Sequence, residues 1–227
     1  MPNHVLNRLD IKANNIDEIH KAIMGTEEDD EGKVALIDFN RIVPMPEELE
    51  ITEGSLGSTA YSLLMGKSDN MFVDIEEQRK RFMKMDKEEM RTECNHAINY
   101  IDNEKKHGHR SWYSWCNANW GTKWNAYSHD YERSTDNVLF FETAWAPPVP
   151  VIQKLSEMFP EATFLLAFDD EQIGYLCGAV SIQNGDIKYI QNPEPESFEA
   201  YELAFFLRPD RRDDFELVGN KYQYKNA

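Results

Sequence analysis

Asn184-Gly185 stands between two runs of β-prone residues, GYLCGAVSI at 174–182 and DIKYI at 186–190. An Asn-Gly loop accepts the positive φ angles of a tight turn matched to strand twist, so this stretch predicts a β-hairpin. A hairpin is marginal alone and needs further strands or a covering helix, which commits the chain to an antiparallel sheet. The segment before it supplies both. TFLLAF (163–168) reads as a strand, and a helix is expected from Pro147-Pro148 to Pro160, with Val151, Ile152, Leu155 and Phe159 on its inner face.

The amino-terminal part has a related rhythm. Residues 4–12 place Val5, Leu9 and Ile11 on one face of a strand. A helix follows, with Asn15 as its cap, Ile16, Ile19 and Ile23 inward, and Gly25 at its end. VALIDFNRIV (34–43) is expected as a second strand, stopped by Pro44 and Pro46. Between 47 and 125 the pattern turns helical, with one short helix near 60–65 and one long helix over about 74–106. The long helix starts at the Asp74/Glu77 pair and carries Ile75, Phe82, Met83, Met90, Cys94, Ala97, Ile98 and Ile101 inward. Residues 126–132 and 137–145 are read as strands, Ser197 as the cap of a last helix to about Leu207, and FELVGNKYQY as an edge strand.

These elements predict an α+β fold: a ferredoxin-like, split βαβ antiparallel sheet with a helical insertion and an extra carboxy-terminal hairpin and helix. The expected organisation is a core of 1–46 plus 126–192, an insertion of 47–125 ending in a tryptophan-rich corner, and a helix and tail at 193–227.

That corner, WYSWCNANWGTKWNAY (112–127), holds four of the five tryptophans. An aromatic platform for bases needs flanking cations, and Lys123 is the only Lys or Arg between 111 and 130. A packed corner is the favoured reading, and Cys116 is expected as an unreactive core thiol. The alternative is a pocket built from Trp112, Trp115, Asn119, Trp120, Lys123, Trp124 and Trp145. His107, His109 and His129 have loose spacing for a metal. No catalytic motif, metal site or cofactor site is expected.

The charge is lopsided. The chain has 41 acidic and 24 basic residues, net −17, a balance that disfavours nucleic acid and anionic membranes. From Glu157 to Glu202 there are ten acidic residues against Lys188 alone, a local net of −9. Asp169, Asp170, Glu171, Asp186, Glu194, Glu196, Glu199 and Glu202 are the candidates for an acidic interaction surface, with Asp169-Asp170-Glu171 read as a solvated turn. Three widely spaced cysteines and no apolar run of membrane length point to a cytoplasmic protein.

Several blocks together resemble a family. They are Met1-Pro2-Asn3 with Asn7, FNRIVPMP at 39–46, WYSWCNANWGTKW, and FFETAWAPPVPVIQKL at 140–155. The chain is similar to the YubB-like, Api-type proteins of plasmids and phages. The resemblance implies a ferredoxin-like fold and a mobile-element origin, and it implies no catalytic residues. With the charge asymmetry, it leads to the expectation of a non-enzymatic protein whose acidic surface binds a basic host or defence protein that processes nucleic acid. Two alternatives stay open: a single-strand nucleic-acid binder stacking bases on Phe140 or Tyr189, and a small-ligand binder or enzyme at the tryptophan corner. The oligomeric state is not readable from the sequence.

Overall fold

The computed structural model describes residues 3–28, 31–68 and 72–225. Met1 and Pro2 of the first family block, and Asp29 and Asp30 of the acidic turn, lie outside them. The chain divides into two compact units, Met1–Pro44 with Asn117–Ala227, and Met45–Cys116.

The first unit is built on a five-stranded antiparallel sheet. Its strands are β1 (His4–Lys12), β2 (Val138–Ala144), β3 (Thr163–Asp170), β4 (Cys177–Gln183) and β5 (Asp186–Gln191), in the order β2-β1-β3-β4-β5. β2 and β3 flank β1, both antiparallel to it, and the helix α7 (Val149–Met158) connects them. This is the split βαβ. The predicted hairpin joins β4 to β5 through Asn184 (φ 50°) and Gly185 (φ 77°).

Strand alternation gives the sheet two apolar faces. Val5, Leu9, Ile11, Phe141, Leu166 and Ile182 point one way, and α1 (Ile16–Ile23) and α7 bring buried Ile19, Ile23, Val151, Ile152 and Leu155. Leu6, Phe140, Ala167 and Ala179 point the other way, where α8 (Phe198–Leu207) packs on β3 and β4 and closes the cluster with Leu207. Ser197 caps α8 as expected, accepting from Ala200 N. The edge strand β5 is exposed along its whole length. Its register carries one extra residue, Lys188, between the Ser181–Tyr189 and Ile182–Ile187 pairs, a charge and a bulge that disfavour edge-to-edge pairing.

Several expectations are corrected. Residues 34–43 form no strand: Val34 makes a single bridge to Glu28, and Phe39–Ile42 is a short helix, α2. The polar residues decide this. Asp38 accepts from Asn40 N, while Asn125 donates to Asp38 and accepts from Phe39 N, so side chains take backbone groups a strand would use. Among the described residues one βαβ unit therefore remains, β2-α7-β3. Residues 126–132 contribute one bridge, Tyr127 to Glu142, rather than a strand. The tail is a separate hairpin of β6 (Phe215–Val218) and β7 (Lys221–Tyr224), not an edge strand of the sheet.

The second unit is helical, with α3 (Ser58–Met65), α4 (Ile75–Phe82) and α5 (Lys87–His107). The long helix expected over 74–106 is broken because Asp86 starts a new one. Asp86 accepts from Glu88 N and Glu89 N, and Glu89 returns to Asp86 N, a complete capping box. The break leaves Met83 exposed, and Ile98 is half exposed, so neither joins the core of Ala60, Tyr61, Ala97 and Tyr100. The start of α3 is held from a distance. The buried Glu93 of α5 accepts from Gly57 N (2.8 Å) and Ala60 N (3.3 Å), a carboxylate at a helix amino terminus. Gly57 sits at φ 79° with His96 where a Cβ would be, so glycine is required there.

Candidate functional site

The tryptophan stretch splits between the two units. The helix α6 (Trp112–Asn119) spans the boundary, with Trp112 and Trp115 in the helical unit and Asn119, Trp120, Lys123, Trp124 and Trp145 in the sheet unit. Trp115 is buried, Trp112 partly so, and burial pushes the Cys116 thiol up to about 12, which leaves it protonated and inert. Trp120 is a core residue: its indole N–H donates to Val43 O (2.9 Å) and its ring meets Phe39 edge-on. Trp124 and Trp145 differ, being 37 % and 40 % exposed. The Lys123 ammonium lies 4.7 Å from the Trp124 ring and 4.8 Å from that of Trp145, so the lysine occupies the space between two outer indoles. Asn119 is partly buried. Among the described residues no group of three or more histidine, cysteine or acidic side chains is placed to hold a metal.

The acidic residues separate into four situations. Asp169 and Asp170, expected in a solvated turn, end β3 and are buried, because β3 continues to pair with β1 as far as Val5–Asp170. Asp169 accepts from Arg208 Nε (3.0 Å), the residue after α8. Burial pushes its carboxyl up to about 6, with the Arg208 charge and hydrogen bond pulling down less strongly. Beside it, Cys177 is pushed up to about 12 by burial and then by Asp169 and Asp170, and its thiol donates to Ala200 O. Glu202 is partly buried and paired with Arg212 (3.0 Å) and the Tyr222 hydroxyl, which hold its carboxyl below the usual range. Asp186 is exposed and pairs with Lys188 on the same strand.

Glu171, Glu194, Glu196 and Glu199 form the fourth group. All are exposed, and none has an ion pair among the described residues. Glu171 lies on the β3–β4 loop, Glu194 and Glu196 on the segment before α8, and Glu199 in the first turn of α8. Glu196 N donates to Gly174 O (2.8 Å), and Glu196 takes φ 59°, fastening the segment before α8 onto the β3–β4 loop. Gly174, at φ 75°, lies against the Tyr201 ring, which would stand 2.9 Å from an added Cβ.

The result is a cleft of about 520 Å3 lined by Asn3, Glu171, Gln172, Ile173, Tyr175, Glu196, Tyr201, Phe215 and Tyr224. Of the expected surface residues, Glu171 and Glu196 meet here. The tyrosines were not anticipated. Tyr224 and Phe215 arrive on the tail hairpin, whose Gly219-Asn220 turn was the available signal.

The sheet, its split βαβ and the covering helices define a ferredoxin-like domain of the α+β class. Residues 120–207 match the family described as the ferredoxin-like domain in Api92-like protein, which bears out the Api-type resemblance over that stretch. The crystal structure of Api92 from Yersinia pseudotuberculosis is also similar, at 10 % identity and a TM-score of 0.43, covering 85 % of this chain and 98 % of that one. No curated protein matches the sequence.

Proposed function

We propose that the chain is a non-enzymatic interaction protein of a plasmid or phage, whose acidic corner binds a basic host or defence protein that processes nucleic acid. One observation carries this reading: Glu171 on the β3–β4 loop, Glu194 and Glu196 on the segment before α8, and Glu199 in the first turn of α8 are exposed, the loop and the segment are joined by the Glu196–Gly174 hydrogen bond, and none of the four has an ion pair among the described residues. Like charges held together without partners raise a local negative potential that steers a cationic surface into contact. The net charge of −17 acts in the same direction. Asp169, Asp170 and Glu202 do not belong to this surface, since the first two are buried and the third is paired with Arg212.

Base stacking is disfavoured. Phe140 is buried beneath the Arg133 and Arg8 guanidinium groups, and of the two aromatics offered for stacking only Tyr189 is exposed, on the edge strand β5. The test is affinity capture from a bacterial host lysate, comparing the wild-type chain with one reversed at Glu194, Glu196 and Glu199 to lysine. Loss of basic partners from the reversed chain is expected, and an identical partner list overturns the reading.

A further inference from the structure

The cleft beside the acidic corner has a chemistry more specific than negative charge. Its walls are three tyrosines and a phenylalanine (Tyr175, Tyr201, Tyr224, Phe215), and its two carboxylates are Glu171 and Glu196. Among the described residues no lysine, arginine or histidine lines it. Aromatic faces carry negative quadrupole charge, so rings and carboxylates select the same ligand, a cation with an apolar or delocalised body. An anion meets two carboxylates there. A bare divalent ion finds rings where it needs several oxygen ligands.

The site is also assembled in advance. The Tyr201 ring is pressed against Gly174, and it packs on Phe215 (ring centroids 5.3 Å apart), which packs in turn on Tyr224 (4.2 Å). The Tyr224 hydroxyl is held by Arg211 Nη2 (3.0 Å), whose charge is matched by Asp214 (2.8 Å). Burial, then Glu196 and Tyr224, push the Tyr201 phenol upward, so it stays neutral and able to donate. Fixed rings lose little freedom when a ligand enters.

We infer that this cleft binds an organic cation, a guanidinium or alkylammonium head on an apolar stem. Its volume, about 520 Å3, falls within the ~300–1,000 Å3 range of small-ligand sites. The inference deepens the interaction reading and rests on it in one respect, that the natural cation is an arginine or lysine side chain of the partner. A free polyamine offers the same chemistry.

Calorimetric titration of the full chain tests it, using acetyl-arginine-amide, its neutral isostere acetyl-citrulline-amide, and spermidine as separate probes. Binding of the arginine probe, with citrulline at least tenfold weaker, is expected. Glu171→Gln, Glu196→Gln and Tyr175→Ala, all at exposed positions, each weaken it about tenfold or more while thermal unfolding stays as in the wild type. Binding of spermidine in place of the arginine probe, with the same variant pattern, supports the cation site and assigns it to a free polyamine. Equal binding of citrulline, no binding of any probe, or variants that bind as the wild type overturn the inference. The two readings fail separately: capture can lose its charge sensitivity while the titration holds, and the titration can fail while capture remains charge-sensitive.

Discussion

Arg208 Nε donates to Asp169 Oδ2 across 3.0 Å, with the Asp169 side chain fully buried and that of Arg208 19 % exposed. The pair joins the residue after α8 to the end of β3, and so ties the covering helix to the sheet. Its cost is visible in the carboxyl, which burial holds at about 6 although a cation stands beside it.

This sets the pH dependence of stability. The folded-state value lies above the ordinary 3.8, so the folded chain binds the extra proton, and the contribution is complete below about pH 4 and lost as pH rises through 6. Asp169→Asn removes that titration. In urea unfolding from pH 4 to 8, the stability of the variant relative to the wild type is expected to rise by on the order of 2–3 kcal/mol across the window and then level off. A difference constant with pH contradicts the assignment.

Gly174→Ala places a side chain at φ 75° and pushes a methyl group into the Tyr201 ring. A destabilisation of about 2 kcal/mol is expected from the left-handed backbone and the contact together. Chemical denaturation measures it, and a neutral variant shows that the β3–β4 loop does not rest on Tyr201 as described.

Glu93→Ala removes the carboxylate that holds Gly57 N and Ala60 N. A loss of about 2 kcal/mol is expected in the helical unit, with faster hydrogen exchange at those two amides. Unchanged exchange at Gly57 and Ala60 contradicts the capping role.

Lys123→Gln removes the cation between Trp124 and Trp145. The expected loss is about 1 kcal/mol, with a change in tryptophan emission as two outer indoles lose their shared neighbour. An unaltered emission spectrum shows that the lysine does not occupy that space in solution.

Much of the sheet was legible from the sequence because its signals are local. The Asn184-Gly185 turn, the alternation of residues 4–12, the prolines before α7 and Ser197 before α8 each act within a few residues. The errors came from side chains competing for the backbone. Asp38 and Asn125, far apart in sequence, turned an apolar run into a short helix, and Asp86 divided a periodic stripe that looked continuous. Asp169-Asp170-Glu171 misled because composition alone reads as a turn, while pairing with β1 carries the first two into the interior. Of the candidate site, Glu171 and Glu196 were readable as charge. Their meeting with Tyr175, Tyr201 and Tyr224 depends on one loop-to-loop hydrogen bond and on the tail hairpin, which no local pattern encodes.

Recognition of a cationic partner by the acidic corner, as proposed above, is open to a single measurement. Capture from host lysate with the wild-type chain, repeated with Glu194, Glu196 and Glu199 reversed and again with excess acetyl-arginine-amide, tests it most directly. A discrete basic protein, lost on reversal and displaced by the arginine probe, is expected. A partner retained in all three conditions, or none captured by the wild-type chain, contradicts it.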